Sequence, residues 1–376
     1  MIPPLQTWLT EPLSSEVLHA LHRLQQSDDV QAIAVMPDVH LAEEICIGTV
    51  VATENLLYPN AVGGDIGCGM ATVRLQADAM LLDNEHHAAQ LLSGLYQRIP
   101  TLKHSKQSKP SCLPSDLEER SLSTPSLERM KLREGLLQLG TLGRGNHFLE
   151  CLKDEEGQLW LMLHSGSRAM GQAIRQEALS HASLSSTGMP FLDIRTVEGQ
   201  AYLKDLQWAL DYASANRIAM LRSTLELMRQ LFGVEAEMDS LLDVHHNHAQ
   251  QEIHQGRTLW VHRKGANAAH EGQRGIIPGS MGTPSFLVEG KGHPDALCSS
   301  SHGAGRKYSR SEARRKLSNR QFNQQMKGVW FDHRRSQALL DEAPAAYKNI
   351  RTVMRAQRDL VRITHELKPI LSFKGR

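Results

Sequence analysis

The stretch Val62-Gly63-Gly64-Asp65-Ile66-Gly67-Cys68-Gly69-Met70 sets a carboxylate and a thiol three residues apart among glycines. Glycine permits bends that a Cβ would block, so Asp65 and Cys68 can turn toward one point. A divalent cation there would accept a carboxylate and a thiolate together. Taken alone, the stretch is equally a glycine turn with a capping Asp and a buried, inert Cys. Further candidate ligands follow: His147 in Gly140-Thr141-Leu142-Gly143-Arg144-Gly145-Asn146-His147, His164 ahead of Ser165-Gly166-Ser167-Arg168, and His245, His246 and His248 in Asp243-Val244-His245-His246-Asn247-His248. Neither a CxxC pair nor an HExxH helix occurs, which excludes the common zinc-finger and zincin patterns. One Asp, one Cys and several His are too many for one tetrahedral ion. They suit two ions sharing a bridging group, an arrangement that clamps phosphate oxygens during in-line displacement.

His302 is of another kind. It lies in Ser299-Ser300-Ser301-His302-Gly303-Ala304-Gly305-Arg306, where small neighbours leave an imidazole open beside a cation. Such a ring can attack phosphorus, and backbone N–H groups of a turn like this can hold phosphate oxygens; the bland alternative is an ordinary loop histidine. Directly after it, residues 306–320 carry Arg306, Lys307, Arg310, Arg314, Arg315, Lys316 and Arg320 against one acid, Glu312. That is a candidate RNA-facing patch or a solvated helix face. The whole chain, at net charge +1, exerts no general pull on nucleic acid, so a local patch has to supply it.

These groups need rigid supports. Residues 14–25 read as an amphipathic helix, 30–36 as a buried strand whose regular pairing ends at Pro37, and 45–53 and 71–75 as further strands. The segment 101–126, rich in Ser, Pro, Lys and Glu, reads as a flexible surface loop, and 127–139 as a helix. Strands are expected at 148–152 and 160–163, so that His147 and His164 lie at strand ends. A long helix over 199–232 reads as packing only. The chain of 376 residues is expected to form one large α+β domain, 1–376, of mixed sheets with surrounding helices and a central cleft. Five cysteines without regular spacing point to a reducing compartment. With neither a signal-peptide pattern nor an apolar run of membrane length, the expectation is a cytoplasmic protein.

The motifs MPDVH (36–40), GDIGCGM (64–70), GTLGRGNHFLE (140–150), HSGSR (164–168), DVHHN (243–247), VHRKGA (261–266), IPGSMGT (277–283) and SHGAGR (301–306) together resemble, in order, the RtcB family of RNA-splicing ligases. Members of that family join an RNA 3′-phosphate or 2′,3′-cyclic phosphate to a 5′-hydroxyl with GTP and manganese. The resemblance implies an RtcB-like fold with a metal and GTP cleft. It implies two Mn2+ ions on Asp65, Cys68, His147, His164 and His246, with Cys68 bridging. His302 matches the histidine that takes GMP covalently. Asn146, His147, Phe148, Leu149, Glu150, Asn247, Pro278, Gly279, Ser280, Met281, Ser285, His302, Gly303, Ala304 and Gly305 match guanylate contacts, and Lys374 a lysine that meets the guanine. Arg168 matches an arginine near RNA phosphates, and Arg306, Arg314 and Arg315 are assigned to the RNA path. The chain departs from the usual family form at Gly64 (Tyr), Gly67 (Asn) and 267–271, Asn-Ala-Ala-His-Glu here in place of Thr-Arg-Ala-Phe-Pro. These departures point to a divergent paralogue serving RNA repair rather than tRNA splicing. A two-metal phosphoesterase acting on RNA ends would use the same Asp, Cys and His set without a covalent histidine.

Overall fold

A computed structural model describes residues 3–105 and 108–375 of the chain. Two sheets carry the architecture. In the larger, seven antiparallel strands run in the order Ala236–His245, Gly69–Asp78, Gln158–Ser165, Phe148–Lys153, Val361–Lys374, Ser285–Gly290 and Arg274–Ile277. The alternation along these strands decides what each face does. Leu149 and Cys151, with Leu159, Leu161 and Leu163, face a helical layer of Leu91, Leu95, Met220, Leu221 and Met228. Phe148, Leu152, Trp160 and Met162 take the opposite face, which places His164 and Glu150 on that side as well. The register sets Phe148 against both His164 and Lys374, and Glu150 against Ser372.

The second sheet orders Leu5–Thr7, Val30–His40, Ile47–Thr53, Arg257–Lys264 and Asn247–His254. Its Ile33, Val35 and Val51 pack on Val17, Leu21 and Leu24 of the helix Ser15–Gln25. The other face, with Ala34, Met36, Val50 and Val261, covers Ile277, Phe286 and Ala304. The chain passes from the first sheet to the second at a single residue, His246, between the strands ending at His245 and starting at Asn247.

The long helix Val197–Phe232 starts on Thr196, whose hydroxyl accepts the Gly199 N–H, and stops at Gly233 with φ 69°, a left-handed cap that glycine tolerates without strain. Three expectations are corrected. Regular pairing does lapse around Pro37, between Val35 and His40, but the strand does not stop at residue 36: its extended backbone runs on to His40, since proline removes one N–H without ending extension. The 127–139 helix is split into Pro125–Met130, a π-turn at Lys131–Gly135 and Leu136–Gln138. The 101–126 segment, apart from Lys106 and Gln107, which lie outside the described residues, is no structureless excursion. It holds the helix Ser115–Glu119 and buries Leu113, Leu117 and Leu122 against the long helix. Buried Lys131 donates to the carbonyls of Glu118 and Arg120 at 2.9 and 2.7 Å, so three leucines and one lysine dock a composition that looks solvated. Among the described residues no helix is long and apolar enough to cross a membrane.

Candidate active site

The Asp65–Cys68 turn lies between the two sheets. Gly67, with φ 69°, faces the long helix so closely that an added Cβ would stand 2.7 Å from the Ala213 Cβ. Arg217 on that helix is fully buried. Its Nη1 donates to the carbonyls of Gly67 (2.7 Å) and Ser165 (3.0 Å), and its Nε to Asp243 at 2.5 Å. One guanidinium thus ties the metal turn, the end of the His164 strand and the strand leading to His246. Asn216 accepts the N–H groups of Gly140 and Thr141 and donates to Ser165 Oγ and the Gly166 carbonyl. The helix that reads as packing therefore positions the site. The signal was present in sequence, since Arg217 stands four residues after Ala213 and four before Leu221, on an otherwise apolar stripe.

The candidate ligands converge. His147 Nδ1 donates to the Leu142 carbonyl at 2.9 Å and His164 Nδ1 to the Asn146 carbonyl at 3.3 Å. These bonds fix the tautomer, so in each neutral ring Nε2 carries a lone pair. The two Nε2 atoms point at Cys68 Sγ, 3.5 Å from His147 and 3.2 Å from His164. His164 Nε2 also lies 3.3 Å from His246 Nε2, and His147 Nε2 3.0 Å from Asp65 Oδ2. Two groups result, Cys68–His164–His246 and Asp65–Cys68–His147, each with donor atoms within 4.8 Å of one another. Cys68 belongs to both.

Burial favours the neutral forms of the imidazoles and the thiol here. Burial, then the facing histidines, hold His164 and His246 well below the usual imidazole value. Burial and the Asp65 carboxylate push the Cys68 thiol far up. Burial opposes ionisation of Asp65, yet the His147 hydrogen bond and the His147 and Arg168 charges outweigh it and keep the carboxyl below its ordinary value. Buried Asp65 Oδ1 and His246 Nδ1 have no hydrogen-bond partner. A divalent cation would satisfy the Asp65 oxygen left without a partner and gather the imidazole nitrogens as ligands. An oxygen, imidazole and single-thiolate set fits a borderline divalent ion.

Beside the ligands lies a cavity of about 300 Å³. Asn146, Phe148, Glu150, His164, Pro278, Gly279, Ser280, Met281, Ser285, His302, Gly303, Ala304, Gly305, Arg306 and Lys374 line it, together with Arg310, Glu342 and Tyr347. Among the candidate guanylate residues, His147 points to the metal groups. Leu149 faces the helical layer. Asn247 clamps the turn instead, donating to the Asp65 carbonyl and accepting the Gly265 N–H. Lys374 Nζ lies 2.5 Å from Glu342 Oε2 and 5.5 Å from the Phe148 ring centroid. Burial, partly offset by Lys374 and Ser372, lifts the Glu150 carboxyl to about 7.

His302 stacks edgewise on His246, ring centroids 4.8 Å apart, and so borders both the metal groups and the cavity. Its Nδ1 lies 2.6 Å from Asp38 Oδ2, an ion-pair contact without hydrogen-bond alignment. The same oxygen accepts the N–H groups of His302 (3.1 Å) and Gly303 (3.3 Å). Asp38, from the MPDVH motif, is wholly buried. Its partner lies 264 residues away, which no local spacing reveals.

The basic run is mostly engaged. Arg306 pairs with Glu342 at 2.6 Å, Arg310 with Asp341 and Glu342 at 2.7 and 2.6 Å, and Arg314 with Asp341 at 3.3 Å. Arg306 is therefore a wall of the cavity, whereas Arg314 and Arg315 are exposed. Arg168, at a left-handed φ of 59°, stands over Gly143, where a Cβ would meet its Nη1 at 2.5 Å. Asp341 and Glu342 carry no signal in the sequence beyond their charge opposite to the run, and Tyr347 carries none.

A sequence model described as tRNA-splicing ligase RtcB matches residues 21–123 and 115–375. The RNA-splicing ligases RtcB1 and RtcB of two Escherichia coli strains are each 37% identical to this chain over 373 residues, covering 91% of it and 90% of their own length. The RNA-splicing ligase RtcB homolog 1 of Entamoeba histolytica is 31% identical over 423 residues, covering 90% of this chain and 80% of its own.

Proposed function

This chain belongs to the RtcB family of RNA-splicing ligases, and from that premise we propose that it joins RNA 3′-phosphate or 2′,3′-cyclic phosphate ends to 5′-hydroxyl ends, using GTP and two manganese ions. The observation that carries the reading is His302, held by a buried Asp38 on the edge of a cavity that also touches the metal ligands. With Nδ1 against Asp38, Nε2 is the ring nitrogen left for attack. In the first step it bonds to the GTP α-phosphorus, the bond to the β-phosphate oxygen breaks, and pyrophosphate leaves with the electron pair. Asp38 stabilises the ring as it gains positive charge. GMP then passes from nitrogen to an oxygen of the RNA 3′-phosphate, which frees the histidine. The 5′-hydroxyl oxygen finally attacks that phosphorus and GMP departs.

Asp65, Cys68, His147, His164 and His246 would hold the ions, which supply charge to steady phosphate oxygens. Phe148 offers a ring face to the base, Glu150 and Lys374 offer an acceptor and a cation, and the Pro278–Met281 turn closes the cavity wall. Arg168 and the exposed Arg314 and Arg315 extend positive charge toward the RNA. The physiological role follows as RNA repair or tRNA splicing, carried out in the cytoplasm.

A phosphoesterase would need the metal groups but not the Asp38–His302 pair. Incubation with GTP and manganese should add one GMP to the protein by mass, in an acid-labile phosphoramidate linkage. His302→Ala should abolish the adduct, and Asp38→Asn should slow its formation by about 10²-fold. Both variants should still join RNA already carrying a 3′-guanylyl end. A parent protein that forms no adduct yet removes phosphate from RNA ends would overturn the ligase reading.

A further inference from the structure

Asp38 is fixed on one side only. Its Oδ2 lies against His302 and accepts the N–H groups of His302 and Gly303, but its buried Oδ1 has no hydrogen-bond partner. Where the carboxylate sits therefore depends on the backbone that carries it. That backbone has little support from its own sheet, because pairing with the strand Ile47–Thr53 lapses between Val35 and His40. The neighbours of Asp38 are tied from elsewhere. Lys348 Nζ donates to the carbonyls of Pro37 and Val39, at 3.2 and 2.9 Å. Carbonyls two residues apart on an extended chain point to the same edge, so one ammonium spans the residue between them.

The same residue holds the loop of His302. Residues 305–307 run antiparallel beside 346–348 through an Arg306–Tyr347 bridge, and there the Lys348 N–H donates to the Gly305 carbonyl at 3.0 Å. Gly305, at φ 73°, brings this loop so near that an added Cβ would stand 2.3 Å from the Asp38 carbonyl oxygen. The Lys348 side chain is 11% exposed, and Glu11 lies 3.5 Å from its Nζ. Two carbonyls and a carboxylate surround the ammonium, which has three N–H groups to give, so it is placed to hold backbone rather than a phosphate.

On the reading of His302 as the nucleophile, we propose that Lys348 is a positioning residue for guanylylation. Its side chain fixes the backbone on both sides of Asp38 while its N–H fixes the end of the His302 loop, so that carboxylate and imidazole meet at one set separation. Lys348 is not among the residues lining the cavity beside the metal groups, and it acts through Asp38. An attacking nitrogen has to stand about 3–3.5 Å from phosphorus and in line, and a displacement of roughly 1 Å can cost about 10²-fold in rate. Without the ammonium, two carbonyls in a stretch that lacks ladder partners would have to find water, and the segment carrying Asp38 would shift. The effect belongs to the first step alone, since joining from a ready-made 3′-guanylyl end needs no histidine nucleophile.

Single-turnover formation of the GMP adduct tests this, followed by mass on the full chain with manganese present and GTP varied. Lys348→Met, which keeps the stem and removes the donors, should lower the rate at saturating GTP by about tenfold. The GTP concentration for half-maximal rate should move by less than about twofold. Lys348→Arg, which restores donors to both carbonyls, should recover most of the rate. Lys348→Met should still join RNA supplied with a 3′-guanylyl end as the parent does, which also reports an intact fold. Where Lys348→Met fails to fold, Lys348→Gln is read by the same criteria. Parental adduct formation in Lys348→Met, a change confined to half-saturation, or equal losses of adduct formation and of joining would overturn the proposal and leave the ligase reading standing. A parent protein without an adduct would remove that reading and this proposal together.

Discussion

Cys68 is the residue on which most depends. Because its sulfur belongs to both candidate ligand groups, Cys68→Ala would remove a ligand from each proposed ion, while a lost core cysteine would cost stability alone. We expect guanylylation to fall by at least about 10²-fold and the manganese-induced rise in melting temperature to disappear. A well-folded variant with normal guanylylation would show that the thiol is structural. At this scale the sequence was informative, since Asp, Cys and His declare their chemistry by type and the glycines around them declare tight turns. What stayed hidden were groups whose role exists only through a distant partner. Asp38 is an ordinary acid until it meets His302, and Glu342 gives no hint that it gathers Arg306, Arg310 and Lys374 at one wall of the cavity.

At the scale of elements, strands were legible as short apolar or β-branched runs because most are buried on both faces, and the long helix through its period. The docking of 101–126 was not, because three leucines spread over ten residues leave no period. The metal turn shows how elements constrain residues. Gly64 and Gly67 both depart from the family's usual form, yet their surroundings differ. A Cβ on Gly64 would meet the Gln172 side-chain amide at 2.4 Å, a flexible tip that can move. On Gly67 it would meet the Ala213 Cβ, with the Leu210 Cα at 3.2 Å, from a left-handed backbone. We therefore expect Gly64→Ala to change unfolding free energy by less than about 0.5 kcal/mol and Gly67→Ala to cost about 2–4 kcal/mol, read from urea denaturation. Equal costs would mean that the long helix yields as easily as a glutamine.

For the whole molecule, burial of neutral histidines makes stability fall in acid. His262 accepts the Tyr58 N–H on Nε2 and donates from Nδ1 to the Val51 carbonyl. Both nitrogens are committed, and burial lowers its pKa to about 4. The unfolded ring titrates near 6.5, so below that pH the unfolded chain binds a proton that the folded chain refuses. The stabilisation is complete above about pH 6.5 and is lost as pH falls toward 4. At pH 5 this one group should cost about 2 kcal/mol relative to pH 7. His40 and His245, also held near 4 mainly by burial, act in the same direction. His262→Asn should flatten the dependence of unfolding free energy on pH between 7 and 5 by close to one proton, and an unchanged slope would place the acid sensitivity elsewhere.

The strand Val361–Lys374 fills the middle of the seven-stranded sheet and pairs with Phe148–Lys153, so that Ser372 meets Glu150 across 222 residues. During synthesis at about 5–20 residues per second, roughly 10–40 s separate the two halves of that pairing as they leave the ribosome. Over that interval the Phe148 strand has an open flank and the cavity lacks Lys374. A nascent chain can therefore hold all the candidate ligands and His302 while one wall of the cavity is still missing, so on the proposed function it would be unable to grip a nucleotide until the sheet has closed.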